Sequence, residues 1–231
     1  MDANYTAKDI AKMIDHSLLN PVMTVKDITE GCQLAREYDV ATVCVKPSEL
    51  SLAVTELSGS GVLPTTVIGF PHGSNKTSVK VFEAQEAIAD GARELDMVLN
   101  IGRLLSGEYE YVENDIRAVV EAAHAKGVIV KVILENCFLT DDQKRAACGI
   151  CEEAGADFVK TSTGYGTGGA TIEDLVLMRG ACSHKVRVKA AGGVRTLDKA
   201  LEVRAVGTDR FGATATKAIM DEALKREAAQ R

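Results

Sequence analysis

Compact apolar runs recur along the chain at 14–19, 40–45, 64–70, 95–99, 128–134, 158–160, 186–191 and 210–211. Each is shorter than a buried helix needs to be, and most are bounded by glycine, proline or charged residues, the pattern of a buried strand. Between the runs lie segments with apolar residues at helical spacing, among them 77–89, 111–125, 141–154, 196–206 and 213–228. Four of the junctions read alike: Asp90-Gly91, Lys126-Gly127, Ala154-Gly155 and Val206-Gly207 each stand just before an apolar run. Glycine there ends a helix by taking the left-handed cap conformation. A helix, glycine, strand unit is therefore used repeatedly, and eight strands alternate with eight candidate helices.

That repeat predicts an α/β fold with a parallel sheet, closed as a (β/α)8 TIM barrel and forming a single domain over residues 1–231. The competing open, doubly wound sheet feeds its first strand into a glycine-rich turn. Here the first strand runs into Asn20-Pro21-Val22-Met23, which has no glycine.

Period-two alternation then sorts each strand into a helix-facing and a lumen-facing set. Leu95, Met97 and Leu99 face the helices, leaving Glu94, Asp96, Val98 and Asn100 inward. By the same count Lys131, Ile133 and Glu135, then Phe158 and Lys160, then Lys189, point into the barrel, with Asp15 and Ser17 from the first strand. The predicted lumen thus gathers Asp15, Asp96, Lys131, Lys160 and Lys189. Buried charges of both signs are costly unless paired. An ion-pair network that only fills the barrel is one reading of them. Position favours chemistry, because Lys160 and Lys189 end their strands and run into glycine turns, at the barrel face where such enzymes keep their active sites.

An amine that reacts at neutral pH must drop about 3.4 units from the ordinary lysine value, roughly 4.6 kcal/mol. Two ammonium groups about 5 Å apart at an effective dielectric near 20 repel by roughly 3.3 kcal/mol. Neighbouring strands, about 4.8 Å apart, bring Lys160 and Lys189 into that range. Like charge is expected to supply most of the shift and burial the rest. A neutral lysine beside a cationic one is a Schiff-base former; the residues alone do not say which of the two attacks. Asp96 is placed to move protons through a water, and Lys131 to keep that carboxylate ionised. Lys131 also counts among the candidate substrate contacts.

Three glycine turns follow the last three strands: Gly164-Tyr165-Gly166, Gly192-Gly193-Val194-Arg195 and Gly212-Ala213-Thr214. Such turns expose backbone amides at helix starts, which bind phosphate with few basic side chains. Together with the lysine pair they predict a small phosphorylated substrate.

Charge and composition remove other classes. The net charge of −6, without long blocks of either sign, disfavours nucleic acid and anionic membranes as partners. No apolar run is long enough to span a bilayer, and Met1-Asp2-Ala3-Asn4 lacks a basic and apolar signal pattern, so a cytoplasmic location is expected. The six cysteines suit a reducing compartment. Cys148 and Cys151 have a dithiol spacing, but they lie inside a helical pattern with no second pair to complete a zinc site, and read as core thiols. The four histidines show no paired ligand spacing, so neither metal nor cofactor is expected.

Several segments carry a family resemblance. They are Phe158-Val159-Lys160-Thr161-Ser162-Thr163-Gly164, Val188-Lys189-Ala190-Ala191-Gly192-Gly193-Val194-Arg195 and Leu95-Asp96-Met97-Val98-Leu99-Asn100-Ile101-Gly102, supported by Ile14-Asp15-His16-Ser17-Leu18-Leu19 and Val67-Ile68-Gly69-Phe70-Pro71. They resemble the signatures of deoxyribose-phosphate aldolase over nearly the whole chain. The resemblance implies a class I, metal-independent aldolase on a (β/α)8 barrel that interconverts 2-deoxy-D-ribose 5-phosphate with acetaldehyde and D-glyceraldehyde 3-phosphate. It implies Lys160 as the Schiff-base nucleophile, Lys189 as the neighbour that depresses its pKa, and Asp96 as the proton-relay carboxylate. It further implies phosphate contacts from the backbone around Gly164, Gly192, Gly193, Gly212 and Ala213, with Ser17 as a hydroxyl contact. Alternatives are a Schiff-base aldolase for another sugar phosphate and a non-catalytic sugar-phosphate-binding barrel. A homodimer is compatible with the residues, none of which establishes it.

The chain departs from the family pattern at Ser17, where threonine is frequent, at Lys46, where a neutral residue is commoner, at Asn136, often threonine, and at Thr214, often serine. Some members end in a catalytic tyrosine. Here the last tyrosine is Tyr165, so no catalytic role is expected for the tail at 224–231.

Overall fold

A computed structural model describes residues 5–229. The leader reading at Met1-Asp2-Ala3-Asn4 and the last two tail residues, Gln230 and Arg231, lie outside the described residues.

In chain order the elements are α1 (Ala7–Ala11), β1 (Ile14–Leu18), α2 (Val25–Glu37), β2 (Thr42–Val45), α3 (Leu50–Leu57), β3 (Leu63–Ile68), α4 (Thr77–Ala89) and β4 (Glu94–Val98). There follow α5 (Ile101–Leu105), α6 (Tyr109–His124), β5 (Ile129–Ile133), α7 (Asp141–Glu153), β6 (Phe158–Lys160), α8 (Ile172–Ala181), β7 (Arg187–Ala191), α9 (Leu197–Ala205), β8 (Arg210–Ala213) and α10 (Thr216–Ala229). The eight strands are parallel and close in sequence order, β1 pairing with both β2 and β8. This is the (β/α)8 barrel expected from the repeat. Two short helices, α1 before the barrel and α5 after β4, were not expected. Each begins on a side-chain cap, Thr6 for α1 and Asn100 for α5, which accepts a backbone N–H from the first turn.

Two cores result. Leu95, Met97, Val132, Leu134, Val159, Val188 and Phe211 are buried against the helices, as alternation requires. His16 also faces outward, its Nδ1 2.8 Å from Thr216 Oγ1 at the start of α10. Burial pushes this imidazole down to about 4, so it is neutral at pH 7. Lys80 is buried between α4 and α6, where its Nζ donates to Asp115 Oδ2 at 2.6 Å and to the Val98 carbonyl at 2.9 Å. That bond ties the outer helices to the end of β4, the strand that carries Asp96. Cys148 and Cys151 are buried and unpaired within α7, consistent with core thiols. Among the described residues no helix is long and apolar enough to cross a membrane.

Candidate active site

Strand register builds the site. Lys160 on β6 is level with Lys189 on β7, and Asp96 on β4 is level with Lys131 on β5. Parallel partners point the same way, so all four side chains enter the lumen. They converge on one carboxylate. Asp96 Oδ2 accepts from Lys160 Nζ at 2.7 Å and from Lys189 Nζ at 2.8 Å, while Asp96 Oδ1 accepts from Lys131 Nζ at 2.8 Å. Asp15 lies in ion-pair contact with Lys189, with Lys131 at 3.6 Å and with Arg210 at 3.4 Å. Its oxygens make no aligned hydrogen bond. Glu94 closes the lower end, 2.5 Å from Lys131 and bound through both oxygens to one Arg210 nitrogen at 2.7 and 2.9 Å.

These groups differ in charge state for physical reasons. Burial pushes the Lys160 amine below the ordinary lysine range; Asp96 pulls the other way, and the Lys189 charge adds to the fall. For Lys189 the same burial is outweighed by Asp15 and Asp96, which hold it above the ordinary range. Lys131 is raised likewise by Asp96, Asp15 and Glu94 against the cost of its burial. Asp96 resists its own burial because three lysines surround it, and its carboxyl is held well below the usual range. One lysine thus gives up its proton more readily than the two beside it. The expected ranking of causes is corrected: burial contributes more than the neighbouring charge, because the amine is almost wholly enclosed by protein and Asp96 offsets the repulsion from Lys189.

A cleft of about 820 Å³ opens above these groups at the C-terminal ends of the strands. Its walls include Lys160, Ser17, Gly164, Gly192, Gly193, Gly212 and Ala213, so the three glycine turns and the candidate hydroxyl meet around one amine. Asp96, Lys189 and Lys131 do not line it. Lys160 is 4% exposed, Lys189 1%, and Asp96 and Lys131 are fully enclosed. Lys131, placed by sequence among the substrate contacts, does not reach the cleft and instead donates to Asp96. It sits one inward layer below Ile133, which is the residue level with Lys160.

The glycine turns are joined by close backbone approach. The Ala170 N–H donates to the carbonyls of Ala191 at 3.0 Å and Gly192 at 3.1 Å. A Cβ on Gly169 would lie 2.9 Å from the Gly192 oxygen, and Gly164, Gly192 and Gly193 all have positive φ. Side chains larger than hydrogen cannot adopt that wall without strain.

Comparison with known proteins identifies the family. Residues 9–221 match the DeoC/LacD family aldolase family. The chain belongs to that family. A deoxyribose-phosphate aldolase of Rhodopirellula baltica is 52% identical over 96% of this chain and 92% of its own. One from Thermococcus gammatolerans is 51% identical over 95% and 98%. The solved structure of the deoxyribose phosphate aldolase from Aeropyrum pernix, described as a unique tetramer, superposes with a TM-score of 0.85 at 31% identity, covering 94% of this chain and 92% of that one.

Within this DeoC/LacD family barrel, several residues that the sequence placed in turns or strands without a role at the site lie near the cleft. Arg195, in the Gly192-Gly193-Val194-Arg195 turn, and Thr214 both line it. Tyr165 crosses the mouth, its hydroxyl donating to the Leu19 carbonyl at 2.7 Å and its ring meeting Phe70 edge-on at 5.4 Å. Glu135 takes a left-handed backbone conformation and accepts from the Thr163 N–H at 3.2 Å and from the Thr163 hydroxyl. Thr163 Oγ1 in turn accepts from the Tyr165 N–H at 3.0 Å, fixing the turn that presents Gly164. Alternation placed Glu135 inward, but its left-handed backbone and its bond to Thr163 have no sequence signature. Cys44, beside the lysines, is a neutral thiol pushed up to about 11 by burial. Each lumen carboxylate is engaged by lysine or arginine, and among the described residues no cluster of three or more His, Cys, Asp or Glu is arranged to hold a metal ion.

Proposed function

We propose that this chain, folded as one domain, is a deoxyribose-phosphate aldolase that cleaves 2-deoxy-D-ribose 5-phosphate reversibly to acetaldehyde and D-glyceraldehyde 3-phosphate through an imine on Lys160. The observation that carries this reading is the shared Asp96 oxygen: two lysines meet there, and only Lys160 also reaches the cleft.

In the proposed sequence the neutral Lys160 amine adds to C1 of the open-chain sugar, and loss of water leaves a protonated imine. Removal of the proton from the C3 hydroxyl breaks the C2–C3 bond, releases D-glyceraldehyde 3-phosphate and leaves the bonding pair on the acetaldehyde fragment as an enamine. Return of a proton to C2 regenerates the imine, and water frees acetaldehyde and the amine. Asp96, kept ionised by Lys131, is proposed to exchange these protons through a water admitted beside Lys160, whose amine stands between this carboxylate and the cleft, and cationic Lys189 keeps the unreacted Lys160 deprotonated. The amides of Gly164, Gly193 and Ala213 are proposed to hold the phosphate where the helix starts favour an anion.

Product analysis tests the assignment. Incubation with 2-deoxy-D-ribose 5-phosphate is expected to yield both aldehydes in equal amounts, with far slower release of any aldehyde from ketose phosphates. Preferential cleavage of a ketose phosphate would move the protein to another substrate, and binding without products would make it a sugar-phosphate-binding barrel. Self-association is likewise proposed, supported by the tetramer described for the Aeropyrum pernix relative. Light scattering on the purified protein should give a mass of at least two chains.

A further inference from the structure

The lumen carries more cations than carboxylates. Its carboxylates are Asp15 from β1 with Glu94 and Asp96 from β4; its cations are Lys131, Lys160, Lys189 and Arg210 from β5 to β8. β2 adds only the neutral Cys44 thiol, and β3 turns Thr65 and Val67 inward, neither ionisable. Glu135, beyond the end of β5, faces the Thr163 turn and forms no ion pair with these cations, so it stands outside this network. Four positive charges therefore face three negative ones. If each carboxylate neutralises one cation, one cation remains over. Lys160 is that one by position: among the described residues its only carboxylate contact is Asp96, which it shares with Lys131 and Lys189.

Arg210 decides the parity. It stands at the entry of β8, at the mouth opposite the cleft, and a guanidinium does not lose its proton in proteins. Its partners are Glu94, at 2.7 and 2.9 Å, and Asp15, at 3.4 Å. The other charged groups at that mouth are engaged elsewhere. Lys12 bonds Asp39, Arg187 stacks on the Phe158 ring, and Asp209 accepts the Val188 N–H. We propose that Arg210 is a positioning residue for the reaction: by occupying Glu94 and part of Asp15 with a permanent charge, it leaves no carboxylate free to keep Lys160 protonated. The inference rests on the reading of Lys160 as the imine-forming amine. It assigns a role in that chemistry to a side chain that never touches substrate.

The effect has a sign. Removing Arg210 balances three cations with three carboxylates, so Lys160 keeps its proton to higher pH. Neutralising Glu94 widens the excess, so Lys160 loses its proton at lower pH. Arg210 is two strand spacings from Lys160, on the order of 10 Å. A unit charge at that distance and an effective dielectric near 20 moves a midpoint by on the order of one pH unit.

The experiment measures kcat/KM on 2-deoxy-D-ribose 5-phosphate, and borohydride trapping with acetaldehyde, across pH. It compares the full-length wild type with R210M, R210K, E94Q and the E94Q/R210M double variant, each checked for its melting transition. The acid-side midpoint is expected to rise for R210M, fall for E94Q, return to the wild-type value in R210K, and lie between the single variants in the double. R210M should regain most of its rate at high pH, which a merely loosened barrel would not. If R210M does not fold, the double variant still decides, because loss of the Arg210 charge must place its midpoint above that of E94Q alone. Unmoved or same-sign midpoints in folded variants would overturn the role of Arg210 while leaving the Schiff base intact. A wild type that forms no adduct at any pH overturns both.

Discussion

Lys160 and Lys189 donate to one and the same oxygen, Asp96 Oδ2, at 2.7 and 2.8 Å. Their nitrogens are therefore within about 5.5 Å of each other, close enough for each charge to govern the other. Lys189→Leu removes the cation whose neighbour must stay neutral, so the Lys160 amine holds its proton further into the alkaline range. The proposed enzyme should lose on the order of 100-fold in kcat/KM at pH 7, from a charge repulsion of about 3 kcal/mol. The deficit should narrow as the pH is raised to about 9.5. A deficit independent of pH would assign Lys189 a different task.

Asp96→Asn separates imine formation from turnover. The substitution takes away the carboxylate that favours the protonated form of Lys160, so trapping with acetaldehyde should extend to lower pH. Cleavage should nevertheless fall by about 100-fold or more, because the proton relay is gone. Three buried lysines lose a partner, so melting should also drop, by an amount corresponding to about 3–5 kcal/mol. Single-turnover trapping alongside steady-state rates reads the two steps apart.

Thr163→Val tests the phosphate turn. It removes a hydroxyl that donates to Glu135 and accepts from the Tyr165 N–H, and so loosens the backbone at Gly164. Hydrogen bonds of this kind contribute about 1–1.5 kcal/mol, so KM for the phosphorylated sugar should rise roughly 5- to 10-fold. With unphosphorylated deoxyribose the variant and wild type should behave alike. Equal losses on both substrates would mean that the turn serves the amine rather than the phosphate.

His16 sets an acid limit on stability. Burial depresses its folded-state value to about 4, against an ordinary value of 6.5, so the unfolded chain takes up a proton that the folded one refuses. The stability contributed by the neutral imidazole is complete above about pH 6.5 and is lost as the pH falls towards 4, on the order of 3 kcal/mol in all. His16→Gln should flatten that part of the denaturation profile measured from pH 7 to pH 4. A profile as steep as that of the wild type would place the acid sensitivity elsewhere.

Much of this site was legible because alternation in a strand is unforgiving. Once Leu95 and Met97 are assigned to the helix side, Asp96 has nowhere to go but the lumen, and Val132 and Val159 place Lys131 and Lys160 in the same way. Depth was not legible. Register, which no strand carries in its own sequence, sets Lys131 a layer below Lys160 and out of the cleft. Arg210 was visible only as the polar start of a short run, since its contact with Glu94 crosses the barrel from β8 to β4 and that with Asp15 depends on the closure of β8 onto β1. The contact between Glu135 and Thr163 escaped for a related reason: it spans two loops, through a backbone conformation that periodicity cannot signal.

Borohydride reduction of the wild-type protein in the presence of acetaldehyde, followed by peptide mass mapping, examines the amine itself. A single two-carbon adduct is expected on Lys160, with Lys189 and Lys131 unmodified, since only Lys160 meets the cleft and is held below the ordinary lysine range. An adduct on Lys189, or none on any lysine of the barrel, would contradict the assignment of Lys160 as the reacting member of the pair.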